Sequence, residues 1–440
     1  MVSSSLDKIV VDEAEEYYCK ALVDLGLYPN YSIEVGDIDG DRRKEIAVLS
    51  TAGDLLKVFN IDGKLLFEKR LKSTGCWGTT IFDFADIDGD GKEELLVPEG
   101  VPGEARVLAL DENGEVVRQR EIHVETTDDY GVAVPMVGAF KRSADSYGIC
   151  VAVAGGALLA FNEDFELMWS IKGLRKDFGH EFYFLKLPGK ESELIAFITV
   201  DHIRYASPQV EGELLIVNPI GKIVFKKRVR DLIDDTHFDD VALDDFQGDG
   251  KPEVLVEKGF LMEYPSGKIV WNVSHLFDHG QWIAHIPNPE GPGRLIFITE
   301  LWGYRGKSRL LGPDGETLWV LGAHRHTVID WGLYPRYKVV PTRVHAVDWT
   351  NSGKYEFVFG EQMVRRRGAP RIDVKHRLKI FVLDPYELQV REIYFMDTMR
   401  KDFFYNGEVR SRATDVDGDG RPEYVFPRQD GKVMIIGKRV

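Results

Sequence analysis

The sequence predicts an all-β protein, an eight-bladed β-propeller, and three observations lead to this fold class. An acidic segment of the form Asp-x-Asp-Gly-Asp recurs along the chain. Short apolar runs of strand length follow the copies, and a second signature that begins with glycine closes most units. Internal repetition of this kind indicates a repeat architecture. The chain has 440 residues, 44% of them hydrophobic and 29% charged, which is enough apolar surface for a sizeable core.

The acidic segment is clearest in three places. These copies lie at 35–41, 84–90 and 413–419, and each runs on to a glutamate at Glu45, Glu94 or Glu423. Two further copies, at 245–253 and 348–356, keep only part of the pattern. The recurrence predicts a structural unit that is used several times.

Each acidic segment is followed by a short apolar run, such as 46–49, 95–97 or 254–256. In the first unit two more runs come next, at 55–59 and 65–67. Short β-rich runs separated by Gly and Asp turns are typical of antiparallel meanders. Each unit is therefore expected to form one four-stranded sheet.

The last strand of a unit has its own signature, seen at 63–67, 114–117, 221–225, 267–271 and 315–319. Both signatures together place eight units within a single domain that covers 1–440. We expect blades at 31–71, 77–122, 130–173, 179–229, 236–274, 279–323, 341–396 and 408–440. The unit at 130 has lost the acidic segment, and seven blades remain an alternative if one weak unit is an insertion.

A propeller is the expected closure because radially arranged blades hide most sheet edges. The last unit runs out after three apolar runs, and the segment 7–11 near the N-terminus copies the pattern of the closing strand. We expect this segment to supply the missing outer strand and to lock the ring. A row of β-sandwich domains is disfavoured because no spacer rich in Pro, Ser or Gly divides the chain.

Composition excludes several classes of protein. The 56 basic and 72 acidic residues give a net charge of -16, which argues against a general nucleic-acid binder. No apolar stretch reaches the ~20 residues of a membrane helix. The three cysteines, Cys19, Cys76 and Cys150, lack the spacing of a disulfide framework or zinc site. The first twenty residues lack an apolar signal region, so we expect a cytoplasmic protein, or an extracellular one if an export signal has been removed.

The acidic segments are candidate calcium sites. Side chains at positions 1, 3 and 5, a backbone carbonyl at position 7 and the acid at position 9 can form an oxygen cage, and Ca²⁺ accepts six to eight such ligands. The expected ligands are Asp37, Asp39, Asp41, Glu45, Asp86, Asp88, Asp90, Glu94, Asp245, Asp249, Glu253, Asp415, Asp417, Asp419 and Glu423. Any ion is expected to be structural, because it would neutralise carboxylates that cluster in a turn. Solvated Asp-Gly turns without an ion are the alternative.

Variation among the copies ranks these sites. Gly91 and Gly420 stand at position 6, where a sharp turn needs glycine, whereas Arg42 stands there in the first copy. Gln247 makes the fourth copy a poorer ligand set. The copy at 348–356 is expected to need no metal.

These segments resemble the FG-GAP or VCBS repeats of integrin-α-like propellers, and the resemblance extends over most of the chain at the level of the repeat. It implies the propeller fold and metal binding. It does not imply one function, because similar blades occur in adhesion proteins and in enzymes. Function therefore has to be inferred from a site.

The site is expected on the face opposite the acidic loops, where first strands begin and where second and third strands are joined. Units four, five and six each place a histidine at an equivalent position there. The candidate catalytic residues are His180, His237, His279, Tyr304, Arg305, Arg204, Tyr205 and Glu300. The candidate substrate-binding residues are Trp77, Tyr130, Gln281, Trp282, Trp302 and Arg365.

Aromatic, histidine and arginine side chains around one channel suit an anionic sugar, since Arg pairs with carboxylates in a bidentate manner. In a β-elimination, an Arg neutralises the uronate, a His or Tyr removes the adjacent proton, and an acid protonates the leaving oxygen. Architecture and the unit that contains Asp278–Trp282 and Glu300 are similar to rhamnogalacturonan lyase propellers. We therefore expect a polysaccharide lyase that acts on an acidic oligo- or polysaccharide. A glycoside hydrolase with Glu300 as one of two carboxylates, or a propeller that only binds a protein or glycan, remains open.

Overall fold

The computed structural model describes residues 17–22, 29–50, 54–72, 81–127, 132–174, 177–178, 182–200, 212–233, 238–277, 279–300, 307–321, 337–365, 378–396, 410–427 and 432–438. Within these residues, 34 strands form eight antiparallel sheets. Two short 3-10 helices span Val229–Asp231 and Ser274–Leu276. Among the described residues, no helix is long and apolar enough to span a membrane.

The first four sheets follow the chain in order, and each pairs its strands from the inner to the outer position. The first sheet contains β2 (Pro29–Gly36), β3 (Glu45–Ser50), β4 (Leu55–Phe59) and β5 (Leu65–Arg70). The second contains β6 (Asp83–Ala85), β7 (Glu94–Glu99), β8 (Ala105–Leu110) and β9 (Val116–Ile122). The third contains β10 (Met136–Ser143), β11 (Ser146–Val153), β12 (Ala157–Phe161) and β13 (Leu167–Ile171). In the fourth, β14 (Asp177–Phe178) and β15 (Tyr183–Lys186) both pair with β16 (Glu193–Val200), followed by β17 (Glu213–Val217) and β18 (Ile223–Arg228).

The last four sheets continue the same order. The fifth contains β19 (Val241–Asp244), β20 (Glu253–Val256), β21 (Phe260–Glu263) and β22 (Ile269–Asn272). The sixth contains β23 (Gly280–Pro287), β24 (Arg294–Glu300), β25 (Arg309–Leu311) and β26 (Thr317–Val320). In the seventh, β27 (Tyr337–Pro341) and β28 (His345–Val347) both pair with β29 (Glu356–Arg365), followed by β30 (Leu378–Asp384) and β31 (Gln389–Met396). The eighth contains β32 (Arg412–Thr414), β33 (Glu423–Pro427), β34 (Val433–Lys438) and β1 (Tyr17–Leu22).

The position of a strand within its sheet explains its residue pattern. The second strands, such as β3 and β7, are buried along their whole length and read as continuous apolar runs between their end residues. Both of their faces pack against neighbouring blades. The fourth strands, such as β5 and β18, are mostly exposed or half-buried, with one buried phenylalanine each, because they lie at the rim. The blade is thus encoded as a change from a fully buried strand to a largely exposed one.

The sheets are arranged as a closed ring. Their innermost strands contact one another in turn, and β2 of the first sheet contacts β32 of the last. The core lies between adjacent blades: Ile46 and Val48 of the first blade pack with Val425 and Ile435 of the eighth. The eight-bladed propeller predicted from the repeats is confirmed.

An N-terminal strand completes the eighth blade, as predicted, but it is a different segment from the one expected. Strand β1 pairs with β34 in a register that runs from Tyr17 opposite Lys438 to Leu22 opposite Val433. The outer position is therefore held by β1 and not by 7–11, which lies outside the described residues. Only 23–28 separate β1 from β2, so the chain makes a short connection from the rim to the inner strand of the first blade.

Candidate functional site

The disc has two chemically different faces. Loops that join first and second strands, including all five acidic segments, lie on one face, which we call the acidic-loop face. First strands begin, and second and third strands are joined, on the opposite face, because consecutive strands are antiparallel. We call it the cavity face.

Four of the five acidic loops gather carboxylates closely enough to hold a metal ion. In each, three ligand oxygens lie within 4.8 Å of one another. The groups are Asp37, Asp39 and Asp41; Asp86, Asp88 and Asp90; Asp245, Asp249 and Glu253; and Asp415, Asp417 and Glu423. Carboxylate oxygens are the ligands that Ca²⁺ and Mg²⁺ prefer, so the donor set fits a hard divalent cation.

Hydrogen bonds give these loops one shared shape. In the second loop, Asp86 accepts N–H bonds from Gly89 at 2.8 Å and Gly91 at 3.1 Å. The Glu94 carboxylate turns inward and accepts the N–H of Ile87 at 3.0 Å. The same bonds recur with Asp415 and Glu423 in the last loop. In the first and second loops the glutamate at position 9 thus supports the backbone and is not part of the three-oxygen cluster.

Arg42 adopts the backbone conformation that glycine adopts elsewhere. Its φ is +71°, compared with +91° for Gly91 and +86° for Gly420. The first loop therefore keeps its shape at the energetic cost of a left-handed non-glycine residue.

The fifth loop shows that this turn does not require a full set of acids. Asp348 accepts the N–H groups of Ser352 and Gly353, both at 2.8 Å, and Glu356 accepts that of Thr350 at 3.1 Å. Thr350 and Ser352 stand where the other loops carry aspartates or Gln247. The hydrogen-bonded turn and the carboxylate cluster are therefore separable features.

Negative charge accumulates in the complete loops. Burial, reinforced by the neighbouring aspartates, raises the pKa of Glu45, Glu94 and Glu253 to about 7. A cation in the loop would offset this charge.

The axis of the propeller contains a cavity of about 740 Å³ lined by first strands from all eight blades. Its charged lining includes an ion pair between Glu34 and Arg412. Asp83 lies nearby and accepts the Ala139 N–H at 2.9 Å. Burial, together with Glu34, raises the pKa of Asp83 to about 8, and burial lowers the pKa of His285 to about 4. The cavity wall therefore combines charged groups with apolar residues such as Phe82 and Ile283.

On the cavity face, blades five and six enclose a cluster of charged groups, which we call the buried charge cluster: Asp239, Glu257, Lys258, His279 and Glu300. Asp239 and Glu257 are fully buried, Lys258 is 1% exposed and Glu300 is 3% exposed. Lys258 Nζ lies 3.6 Å from Glu257 Oε1 and 3.8 Å from Asp239 Oδ2. Burial raises the pKa of Glu257 well above its usual range, although Lys258 opposes this shift. Buried charges are costly and often mark functional sites.

His279 is the most accessible member of this cluster. Its Nε2 lies 2.9 Å from Asp239 Oδ2, and 17% of its side chain is exposed. Its backbone N–H donates to Glu300 Oε1 at 2.7 Å. A buried carboxylate that holds one ring nitrogen fixes the orientation of an imidazole and leaves the other nitrogen for a proton transfer.

The buried charge cluster adjoins the cavity. Asp240, next to Asp239, lines the cavity and accepts the N–H of Ile283 at 2.7 Å. Ile283 lies on β23, the strand that begins directly after His279. Two arginines also line the cavity: Arg343 lies between β27 and β28, and Arg410 precedes β32. Arg343 lies over the Trp282 ring at 5.3 Å. Of these groups, Asp240 and the two arginines line the cavity, and the buried charge cluster joins this wall through Asp240, whose N–H donates to Glu257 at 3.2 Å.

The structure describes some of the predicted site residues and not others. It brings His279 and Glu300 together, and it places Gln281 and Trp282 beside them, both fully buried in the wall. Their burial favours a supporting role over direct contact with a ligand. Arg365 ends β29. The residues that lie outside the described part are Trp77, Tyr130, His180, Arg204, Tyr205, His237, Trp302, Tyr304 and Arg305.

Sequence reasoning missed Asp239, Glu257, Lys258, Arg343 and Arg410. The sequence does carry a signal for Glu257 and Lys258. This Glu-Lys pair directly follows the apolar run 254–256, at a point where the chain must turn on Gly259. Charged residues at the end of a fully buried strand have to be paired. The arginines lack a comparable signal, since single basic residues before a strand are common.

Comparison with known proteins finds one matching repeat family and several solved structures that share the propeller fold. Residues 37–97 match the FG-GAP-like repeat family. No curated protein matches the chain in sequence.

Among solved structures, the exotype rhamnogalacturonan lyase YesX is 16% identical, with a TM-score of 0.62, over 95% of this chain and 72% of that one. Rhamnogalacturonan lyase YesW is also 16% identical, with a TM-score of 0.60 and the same coverage. Saccharomyces cerevisiae Sqt1 is 10% identical, with a TM-score of 0.57, over 96% of this chain and 98% of that one. At these identities the likeness shows the propeller fold alone.

Proposed function

We propose that the protein is a polysaccharide lyase that cleaves a uronic-acid-containing glycan by β-elimination at the cavity face. The observation that carries this proposal is the pair formed by Asp239 and His279, a buried carboxylate and a partly exposed imidazole 2.9 Å apart beside the axial cavity. Rhamnogalacturonan is the polymer to test first, because the protein shares its fold with YesX and YesW.

His279 is the proposed base. Asp239 holds Nε2, so Nδ1 is the nitrogen that accepts the proton on the carbon next to the uronate carboxylate. An imidazole has the right basicity for this transfer near neutral pH. His180 and His237 remain candidates for further contacts.

Arg343 is the proposed partner of the uronate carboxylate. It lines the cavity and is half-buried, whereas Arg410, which is 2% exposed, supports the cavity wall. A guanidinium that binds a carboxylate in a bidentate manner withdraws negative charge and makes the adjacent C–H bond more acidic. Arg204 and Arg305 stay predicted contributors from the loops of the same face.

The elimination then proceeds without an external oxidant or water. The C–H electron pair forms a carbon–carbon double bond, the bond to the glycosidic oxygen breaks, and that oxygen takes a proton from an acid. Tyr304 and Tyr205 are the proposed acids. Hydrolysis is less well supported, because Glu300 is buried and its Oε1 already accepts the backbone N–H of His279.

The test measures unsaturated uronate by its ultraviolet absorbance with rhamnogalacturonan, polygalacturonate and a neutral galactan. We expect product from an acidic polymer only, and a loss of about 100-fold or more in His279→Asn. His123→Asn is the matched control, since that side chain is 87% exposed in another blade. Binding of an acidic polymer without any product would favour the non-catalytic propeller, and full activity of His279→Asn would refute the assigned base.

We also infer that the acidic loops hold Ca²⁺ as a structural ion. Three carboxylate oxygens within 4.8 Å in each of four loops support this inference, because Ca²⁺ prefers oxygen ligands of this kind. The ion would neutralise each turn from outside the cavity, on the other face of the disc.

A further inference from the structure

Lys258 occupies an unusual position for a lysine. It lies in the turn between β20 and β21, is 1% exposed, and its ammonium is surrounded by the acids of the buried charge cluster. Burial of an ammonium group is unfavourable unless nearby charges compensate it. Many polar residues could fill a surface turn, so the presence of a buried cation calls for a specific explanation.

The contacts of Asp239 explain why a cation is buried here. Asp239 Oδ2 is shared: His279 Nε2 lies 2.9 Å from it and Lys258 Nζ lies 3.8 Å from it. An imidazole and an ammonium group therefore contact the same carboxylate oxygen. If His279 were protonated, two cations would compete for one anion.

Asp239 alone would make His279 a poor base. A buried carboxylate at hydrogen-bond distance favours the protonated imidazole, which cannot accept another proton. A cation near the ring disfavours the protonated imidazole. Further charged groups lie around this pair: Glu257, whose Oε1 is 3.6 Å from Lys258 Nζ; Glu300, whose Oε1 accepts the His279 backbone N–H; and Arg309, whose charge interacts with that of Glu300.

We propose that Lys258 is a positioning residue that compensates the charge of Asp239, so that Asp239 orients His279 while the imidazole stays neutral. The base role of His279 rests on the proposed lyase function, but the charge state of the ring can be measured without any substrate. Lys258 itself touches neither substrate nor reacting atoms in this scheme. It acts only through Asp239.

The experiment follows the His279 ring by NMR of ¹⁵N-histidine-labelled protein, with the His279→Asn spectrum to assign the signal. In the wild-type protein we expect the midpoint of titration below pH 7. In Lys258→Met we expect it to rise by about one pH unit. Lys258→Arg, which keeps the charge, should stay close to wild type. Lys226→Met, which removes a surface lysine paired with Glu213, is the control for loss of a cation elsewhere.

A second variant guards against misfolding. Lys258→Met combined with Glu257→Gln removes one buried acid together with the buried cation, and because loss of the acid partly offsets loss of the cation, we expect an upward shift smaller than in Lys258→Met. A wild-type midpoint well above pH 7, or an unchanged or lower midpoint in a folded Lys258 variant, would overturn the proposal, and the wild-type measurement stands even if neither variant folds.

Activity separates this inference from the function on which it rests. With an active lyase, the acid limb of the kcat/KM pH profile should move upward with the NMR midpoint in Lys258→Met. An NMR shift in a protein without lyase activity would uphold the charge compensation and remove the catalytic role of His279.

Discussion

The acidic-loop face and the cavity face use charged residues in opposite ways. On the acidic-loop face, five turns repeat one hydrogen bond, in which a half-buried aspartate, from Asp37 to Asp415, accepts the N–H of the residue five positions later. On the cavity face, the described residues show one buried charge cluster, confined to blades five and six. Repetition serves the fold because every blade needs its turn. The buried charge cluster is costly and, among the described residues, is not repeated in this way, so it points to a functional site, because stability alone does not require it.

The largest expected effect is catalytic and belongs to the cavity face. Asp239→Asn keeps the size of the side chain but removes the charge that orients His279, so we expect kcat to fall by about 1,000-fold. The ultraviolet assay measures this loss. Asp88→Asn, on the other face, should keep the wild-type rate when calcium is saturating; equal losses in both variants would abolish the functional distinction between the faces.

Removal of metal should affect stability and not the chemistry of the cavity face. A site saturated at 100 times its Kd stabilises the folded state by about 2.7 kcal/mol, so a chelator should lower the Tm clearly. Asp88→Ala should weaken this response, whereas Asp348→Ala should preserve it because that loop lacks the carboxylate cluster. An identical melting curve with and without chelator would argue against structural ions.

The channel between the two faces should make stability depend on pH. The pKa of Asp83 is raised to about 8 by burial and by Glu34, with Arg412 acting against the shift. Between about pH 4 and pH 8 the folded state keeps a proton that the unfolded state releases, so stability should fall as pH rises through this window.

Asp83→Asn should remove this fall and stabilise the protein at pH 8 by an amount on the order of 2 kcal/mol. Urea unfolding at pH 5 and pH 8 measures the difference. The exposed Asp164→Asn serves as the control. A wild-type free energy of unfolding that is higher at pH 8 than at pH 5, with no change in Asp83→Asn, would contradict the assignment.

The smallest expected effect tests the repetition itself. Arg42 has a φ of +71° where the other complete loops have glycine, so Arg42→Gly should raise the free energy of unfolding by about 1 kcal/mol. Gly91→Ala in the second loop should have the opposite sign. Thermal and urea unfolding measure both, and a loss of stability in Arg42→Gly would show that the arginine side chain contributes more than its backbone costs.

Most of the fold could be predicted because two short patterns, the acidic segment and the closing-strand signature, each recur in five units and support one another. The closing strand could not be assigned as surely, since both 7–11 and β1 offer suitable residues and the choice depends on how far the chain must travel to reach β2. The candidate site was only partly predictable. His279 was found because three units place a histidine alike, whereas Lys258 and Asp239 occur once and gain meaning only from the distances between them.

The pairing of β1 with β34 determines how the protein can be immobilised. Tyr17 lies opposite Lys438, and β34 runs toward the acidic-loop face, so the chain enters and leaves the eighth blade side by side on that face. A tether attached to the chain where β1 begins or β34 ends would therefore leave from the same corner of the disc. Immobilised in this way, the propeller would present its cavity face to the solution.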